Sequence, residues 1–311
     1  MSFDVAETSR KEIDDGHYLE GASLADGHLE GSSEPSSTCT PYRPFPRVIN
    51  FFSQASFSGL KYAYLCGATK EDQLFVFGVH TGYSGSTPLG TRPGLILYNG
   101  LSHKEPILAG ACDESQWASR VYAFNLKSII LLPPLEAVSD SKEMVSELMT
   151  TTTNAEGGVS YLFTIEAGQG DKMERKKFEW RQFKKGGKDE AENDGFKLLL
   201  SAPQPSDLRP QQQPHLQWIP PRDEILAILT WAKLGSKISH PLSLEFTDDT
   251  IPPLFGERWT LMAVITSLRL WQLRGNGRGK KSTVVIAEKI RGKSSAWLSI
   301  RRTGDNPGRG I

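Results

Sequence analysis

One stretch near the C-terminus limits the possible folds more than any other part of the chain. Residues Glu257–Leu273 carry an acid in the first turn, are followed by Arg274, and stop before Gly275. These are start and stop signals for an α-helix of about 17 residues, and they suit the helix dipole. The middle of the stretch is apolar around the whole helical circumference. A helix of this kind in a globular protein must be enclosed by other structure.

Short β-strands are the predicted enclosure. Apolar, β-branched and aromatic runs of strand length are separated by Gly, Pro and Asp turns, and several alternate with charged residues, which places one face on a core and the other in water. In the first half these runs are Leu60–Cys66, Gln73–His80, Gly94–Tyr98, Ile107–Ala111 and Leu126–Leu132. In the second half they are Tyr161–Ile165, Phe178–Trp180, Phe196–Leu200, Ile225–Trp231 and Leu242–Phe246. Residues Ser128–Leu132 are apolar on both faces, which predicts a strand covered on both sides.

Three further elements are predicted with less regular patterns. Val145, Leu148 and Met149 stand at helical spacing, which predicts a short surface helix over Val138–Met149. A last strand is expected at Ser282–Ala287, and Ala296–Ile300 could add another. Large aromatic area suits a barrel interior, so the following residues are expected in the core: Trp180, Trp231, Trp259 and Trp271.

These elements predict a β-rich fold, an antiparallel β-barrel of about a dozen strands around one buried, hydrophobic C-terminal helix. The barrel domain is expected over residues 47–290, with insertions near 135–157 and 203–221. Residues 1–46 are acidic and poor in bulky apolar side chains, which predicts a disordered tail. Residues 291–311 form a basic C-terminal tail.

The composition limits both the expected cellular location of the protein and the classes of function that fit it. The 36 basic residues balance 36 acidic ones, so no general attraction to nucleic acid is indicated. Three widely spaced cysteines do not suggest a disulfide framework or a zinc site. The first 30 residues lack the apolar segment of a secretory signal, and the apolar run Trp259–Leu268 is half the length of a spanning helix. A cytoplasmic location is expected, with a nuclear or peripheral membrane one left open.

No pattern of catalytic or metal-binding residues emerges. Gly82–Ser86 approaches a nucleophile elbow around Ser84 but lacks the final glycine, and Gly275–Gly279 follows a helix where a dinucleotide motif follows a strand. The six histidines are scattered, and His80 at the end of a strand is interpreted as a polar residue at the edge of the core. The pair Asp113–Glu114 is interpreted as a turn or helix start. We therefore expect no metal, no cofactor and no catalytic residue.

The order of elements resembles the fungal branch of the tubby C-terminal-like superfamily, which includes LURP-one-related proteins and phospholipid scramblases. The resemblance rests on four segments: Phe178–Arg181, Gly195–Leu198, Glu224–Trp231 and Gly256–Trp259. It covers residues 158–273 by these segments and 48–135 by strand pattern alone, while the basic stretch after Arg274 departs from it. The resemblance implies a β-barrel around a hydrophobic helix and no established catalytic residue. Tubby proteins bind phosphoinositide headgroups through basic side chains, but none of those positions is carried over to this sequence.

Two basic segments supply the candidate binding residues. Residues 172–188 contain eight basic side chains, and the stretch from Arg269 contains eleven against two acidic ones. If both segments meet at one end of the barrel, they would attract anionic headgroups. The candidate anion-binding residues are Lys176, Lys177, Lys184, Lys185, Arg278, Lys280 and Lys281. The leading hypothesis is a non-enzymatic binding protein for anionic phospholipid or a protein partner. The alternative is an accessory protein of a fungal secondary-metabolite pathway that holds a small hydrophobic metabolite in the barrel.

Overall fold

A computed structural model describes most of the chain between Pro44 and Arg291. The described ranges are 44–53, 62–83, 85, 87–114, 125–135, 143–154, 156–184, 194–201, 224–231 and 242–291. Predictions for most of the N-terminal tail, residues 203–221, Ala296–Ile300 and the basic tail beyond Arg291 lie outside these ranges. So do those for Ser84 and Lys185.

Twelve β-strands make up the wall of the described domain, and each pairs antiparallel with the next along the chain. They are β1 (Val48–Ser53), β2 (Tyr62–Cys66), β3 (Gln73–His80), β4 (Gly94–Tyr98), β5 (Ile107–Asp113), β6 (Lys127–Leu132), β7 (Val145–Thr153), β8 (Val159–Ala167), β9 (Glu174–Phe183), β10 (Gly195–Leu200), β11 (Ile225–Trp231) and β12 (Leu242–Phe246). Strand β1 also pairs with β12, with Phe51 opposite Leu242. The sheet therefore closes into a barrel with no free edge.

Alternation along the strands decides which residues enter the barrel. In β9, Phe178 and Trp180 are buried, whereas Lys177, directly before them, is exposed on the outer wall. In β6, Ile130 and Leu132 join the barrel core, and Leu131 points into a separate outer cluster with Leu89. The prediction that Ser128–Leu132 is covered on both faces is therefore confirmed.

Three helices follow the last strand within the described residues: α1 (Ile251–Phe255), α2 (Glu257–Gly275) and α3 (residues 281–291). Every residue of α2 from Trp259 to Leu270 is buried. The contacts come from well-separated parts of the wall, because Trp271 packs on Phe51 of β1 while the Trp180 indole N–H of β9, four strands away, donates to Thr266 Oγ1 at 3.0 Å. The helix thus lies along the barrel axis, and the predicted fold of a dozen strands around a buried helix is confirmed.

The start of α2 requires a glycine. Gly256 has φ of 87°, and a Cβ there would lie 2.9 Å from the carbonyl oxygen of Gly168 in the β8–β9 turn. The predicted helix Glu257–Leu273 agrees with α2 to within two residues, with Glu257 in its first turn and Arg274 in its last. Glycine at position 256 therefore lets the chain turn sharply against the barrel rim before it enters the interior.

The predicted surface helix over Val138–Met149 is wrong in its described part, because residues 145–153 form β7. The apolar residues at helical spacing do not share a face: Met149 is buried inside the barrel, while Leu148 is 44% exposed outside it. The threonines 150–153, expected in the insertion near 135–157, are β-branched residues that suit a strand. Residues 145–153 are thus part of the wall and not of an insertion.

The predicted strand Ser282–Ala287 is also wrong, because these residues lie in α3. Val284 and Ala287, three residues apart, are buried in the core cluster, while Ile286 is 48% exposed. A further strand would need a free sheet edge, and the pairing of β1 with β12 leaves none. The segment therefore packs as a helix against the end of the barrel.

The tryptophan predictions are largely confirmed. Trp180, Trp231 and Trp259 are buried in the core cluster. Trp271 is partly exposed and packs against the same cluster, at the last turns of α2.

Candidate functional site

The two ends of the barrel differ in what closes them. At the α1 end lie α1 and the β8–β9 turn (residues 168–173), joined by the Gly168 amide donating to the Phe255 carbonyl at 3.0 Å. At the α3 end lie the β7–β8 turn (154–158), the loop 276–280 and α3. Helix α2 runs from the α1 end to the α3 end, and the residues of the two basic segments are divided between these ends.

The candidate anion-binding residues do not all come together. Lys176 lies at the α1 end, where its Nζ is 3.9 Å from Glu174, and Lys177 projects from the outer wall of β9. Lys184, directly after β9, and Lys280 and Lys281, directly before or at the start of α3, are exposed at the α3 end. The α3 end therefore collects three exposed residues of the described candidates.

Arg278 is not available for an external anion, which corrects its place among the candidates. Its side chain is 7% exposed, and Nη1 donates to Asp113 Oδ1 at 2.6 Å, while Nη2 donates to the Asn125 carbonyl at 2.9 Å. From the sequence alone, a basic residue in a glycine-rich loop is expected to be exposed to solvent. The chain instead folds Arg278 back onto the end of β5.

Asp113 is shared by a second buried arginine, Arg269 in α2. Arg269 is 1% exposed and Asp113 0%, and the Arg269 guanidinium donates to Asp113 Oδ1 and to Gln272. Its Nε also donates to Ser128 Oγ at 3.0 Å. Burial lowers the pKa of Arg269 and the Asp113 charge opposes that shift, and a guanidinium stays charged in proteins. Two cations therefore share one anion inside the barrel.

The interpretation of Asp113–Glu114 as a turn or helix start missed this cluster. Asp113 is the last residue of β5, and only Glu114 is exposed, in an ion pair with Lys127. One signal was present in the sequence: an arginine within the apolar run of α2 needs a buried acid, because an unpaired charge in the core is too costly. Asp113, at the end of an apolar strand, is such an acid.

The α1 end has a balanced charge network. Arg258 of α2 lies 3.8 Å from Glu147 and 3.5 Å from Glu166, and Arg175 forms ion pairs with the same two carboxylates. Two arginines thus face two glutamates, and Lys176 is next to Glu174. This network ties the start of α2 to β7, β8 and β9, and the charges of its two arginines and two glutamates balance.

The α3 end, in contrast, is basic on its surface. Among the described residues there, six exposed basic side chains are Lys184, Arg274, Lys280, Lys281, Lys289 and Arg291. The exposed acids of the same described part are Glu156, Asp194 and Glu114, and the last is paired with Lys127. The two ends of the barrel therefore differ in charge, although the whole chain is neutral.

Helix α3 is held to the barrel by apolar and polar contacts. Val284 and Ala287 enter the core, and the Glu288 carboxylate accepts hydrogen bonds from the Thr152 hydroxyl and from the Thr153 amide and hydroxyl at 2.9–3.0 Å. Partial burial raises the pKa of Glu288, but these hydrogen bonds outweigh it, so its pKa lies below the ordinary 4.5. The opposite side of α3 carries Ile286 and Ile290, which are 48% and 38% exposed.

His80 and the two described cysteines, Cys66 and Cys112, are buried side chains of the barrel wall. The His80 ring lies at the end of β3, buried, with Nε2 2.8 Å from the Gly90 carbonyl oxygen, which fits a polar residue at the edge of the core. Burial raises the pKa of the Cys66 and Cys112 thiols to about 11. Within the described ranges, no three His, Cys, Asp or Glu side chains group as metal ligands.

No family model, curated protein or solved structure matches this chain. In the described part of the chain, no helix is both long and apolar enough to cross a membrane.

Proposed function

We propose that this protein is a non-enzymatic binding protein of the tubby-like type that attaches to anionic phospholipid surfaces through the α3 end of its barrel. The observation that carries the proposal is the charge difference between the two ends. The α1 end neutralises its arginines with Glu147 and Glu166, whereas exposed lysines and arginines predominate at the α3 end.

The expected binding is reversible and sensitive to salt. A basic side chain near an anionic bilayer contributes about 1 kcal/mol. Among the described residues of this end, the six exposed basic side chains, less Glu156 and Asp194, leave four net positive charges. The electrostatic contribution is then about 4 kcal/mol, which suits a peripheral protein, and it decreases as salt screens the surface.

The interior of the barrel favours a surface site over an internal one. A barrel that carries a hydrophobic metabolite needs a cavity, but α2 lies along the axis, and its residues from Trp259 to Leu270 are all buried. The metabolite alternative therefore gains no support from the described residues. The arrangement of a closed barrel around a helix is the one expected of a tubby-like protein, and this supports the first hypothesis.

Vesicle co-sedimentation tests the proposal. Wild-type protein is mixed with phosphatidylcholine vesicles, alone or with about 20% phosphatidylserine or a few per cent of a phosphoinositide, at two salt concentrations. The variant Lys280→Glu with Lys281→Glu changes the charge of the α3 end by four. The control Lys104→Glu with Lys172→Glu makes the same change on exposed lysines in turns at the α1 end.

We expect the wild type and the control to bind anionic vesicles, more weakly at high salt, and the α3-end variant to bind far less. No binding of the wild type, or equal losses in both variants, would refute the proposal.

A further inference from the structure

One face of α3 is committed to the barrel and the other carries two large aliphatic side chains. Val284 and Ala287 are buried, and Glu288 holds the helix to Thr152 and Thr153. Ile286 and Ile290 are four residues apart, so they lie one above the other on a single helical stripe. Both remain 48% and 38% exposed although α3 packs against the barrel.

The position of the charges around this stripe indicates what it contacts. Lys280 and Lys281 lie at the start of α3, and Lys289 and Arg291 lie in its last turn, all exposed. An exposed apolar stripe with lysine and arginine at both ends of its helix fits a helix that lies in the plane of a bilayer interface, with its aliphatic groups below the anionic headgroups. A protein partner with an apolar groove would not require cations at both ends of the stripe.

The sequence that follows α3 continues this composition. It contains Lys293, then Trp297, Leu298 and Ile300, then Arg301 and Arg302. Tryptophan and aliphatic residues alternating with basic residues are typical of segments that bind at membrane interfaces.

We infer that α3 is an interfacial membrane helix, and that Ile286 and Ile290 enter the acyl boundary of an anionic bilayer while Lys280, Lys281, Lys289 and Arg291 contact its headgroups. This inference rests on the proposed function and adds an apolar, salt-resistant component to it. Half-exposed isoleucines already project from the helix, so insertion does not require α3 to leave the barrel.

The test replaces the stripe without changing charge. In the variant Ile286→Ser with Ile290→Ser, vesicle partitioning should fall about tenfold or more, because burial of aliphatic area is lost. A matched control exists in β7, where Val145 and Leu148 are 39% and 44% exposed. The variant Val145→Ser with Leu148→Ser should bind as the wild type does.

Two further readouts separate insertion from electrostatic attachment. Wild-type protein should raise the surface pressure of an anionic lipid monolayer, and the Ile286, Ile290 variant should not. The substitution Ile286→Trp should strengthen partitioning, and brominated lipid should quench that tryptophan. Far-UV circular dichroism confirms that each variant is folded.

The outcomes distinguish the inference from the proposed function. If the wild type fails to bind anionic vesicles, the proposed function fails and the inference fails with it. If the wild type binds, but the Ile286, Ile290 variant binds equally and the monolayer pressure does not rise, the inference is overturned and the proposed function stands. A tenfold loss confined to that variant supports the inference.

Discussion

Replacing Asp113 with asparagine removes one negative charge from the barrel interior while preserving the size of the side chain. In the wild type, Arg269 and Arg278 both donate to Asp113 Oδ1, and the side chains of Arg269, Asp113 and Arg278 are 1%, 0% and 7% exposed. Removing one partner of a buried ion pair costs about 3–5 kcal/mol. Here two guanidiniums lose the same partner, so we expect Asp113→Asn to lower the free energy of unfolding by about 5 kcal/mol.

Urea unfolding followed by tryptophan fluorescence and circular dichroism measures this loss. With an m-value of about 2.5 kcal/mol/M, the midpoint should fall by about 2 M. The adjacent substitution Glu114→Gln is the control, because Glu114 is exposed in its ion pair with Lys127 and should change stability by less than about 1 kcal/mol. Arg269→Met should cost less than Asp113→Asn, since Asp113 then keeps Arg278. A loss below 1 kcal/mol for Asp113→Asn would refute the account of the cluster.

Three other predictions concern α3, the thiols and α2. Because the pKa of Glu288 is lowered in the folded protein, the contribution of this carboxylate to stability is present above its ordinary pKa of 4.5 and is lost as the pH falls below it. Proteolysis of α3 in the wild type should therefore increase below about pH 4. The variant Glu288→Gln lacks this carboxylate and should not show that increase. In a Cys39→Ser variant, Cys66 and Cys112 should not react with a thiol reagent at pH 8 until the protein unfolds, because their thiols stay protonated; rapid reaction of the native protein would contradict this. Val264→Asp should bury an unpaired carboxylate at a cost of several kcal/mol and prevent folding, and a folded variant in circular dichroism would show that α2 is not enclosed.

The enclosed helix and most strands are predictable because their signals are local and strong. The all-round apolarity of Glu257–Leu273 admits only a buried helix, and alternation in segments such as Phe178–Trp180 sets the inner face of the wall. Segments with mixed signals are not predictable in this way. In Val145–Thr153, the chance spacing of Leu148 and Met149 imitates a helix, although the two side chains lie on opposite faces of β7.

Predictions that depend on closure or on packing require the structure. Ser282–Ala287 has an apolar, β-branched sequence, and only the pairing of β1 with β12 shows that no edge remains for another strand. Likewise, Arg278 and Lys280 differ by two positions in one basic loop, yet the first is buried on Asp113 and the second is exposed. Local composition locates a basic segment, but burial decides which of its side chains can reach a ligand.

The proposed attachment of the α3 end to anionic membranes is the central claim, and hydrogen–deuterium exchange with and without anionic vesicles tests it most directly. The account predicts slower exchange in residues 276–291 and in the β7–β8 turn at 154–158, with unchanged exchange in the β8–β9 turn at 168–173 and in α1. Slower exchange at the α1 end, or no change at the α3 end of vesicle-bound protein, would contradict it.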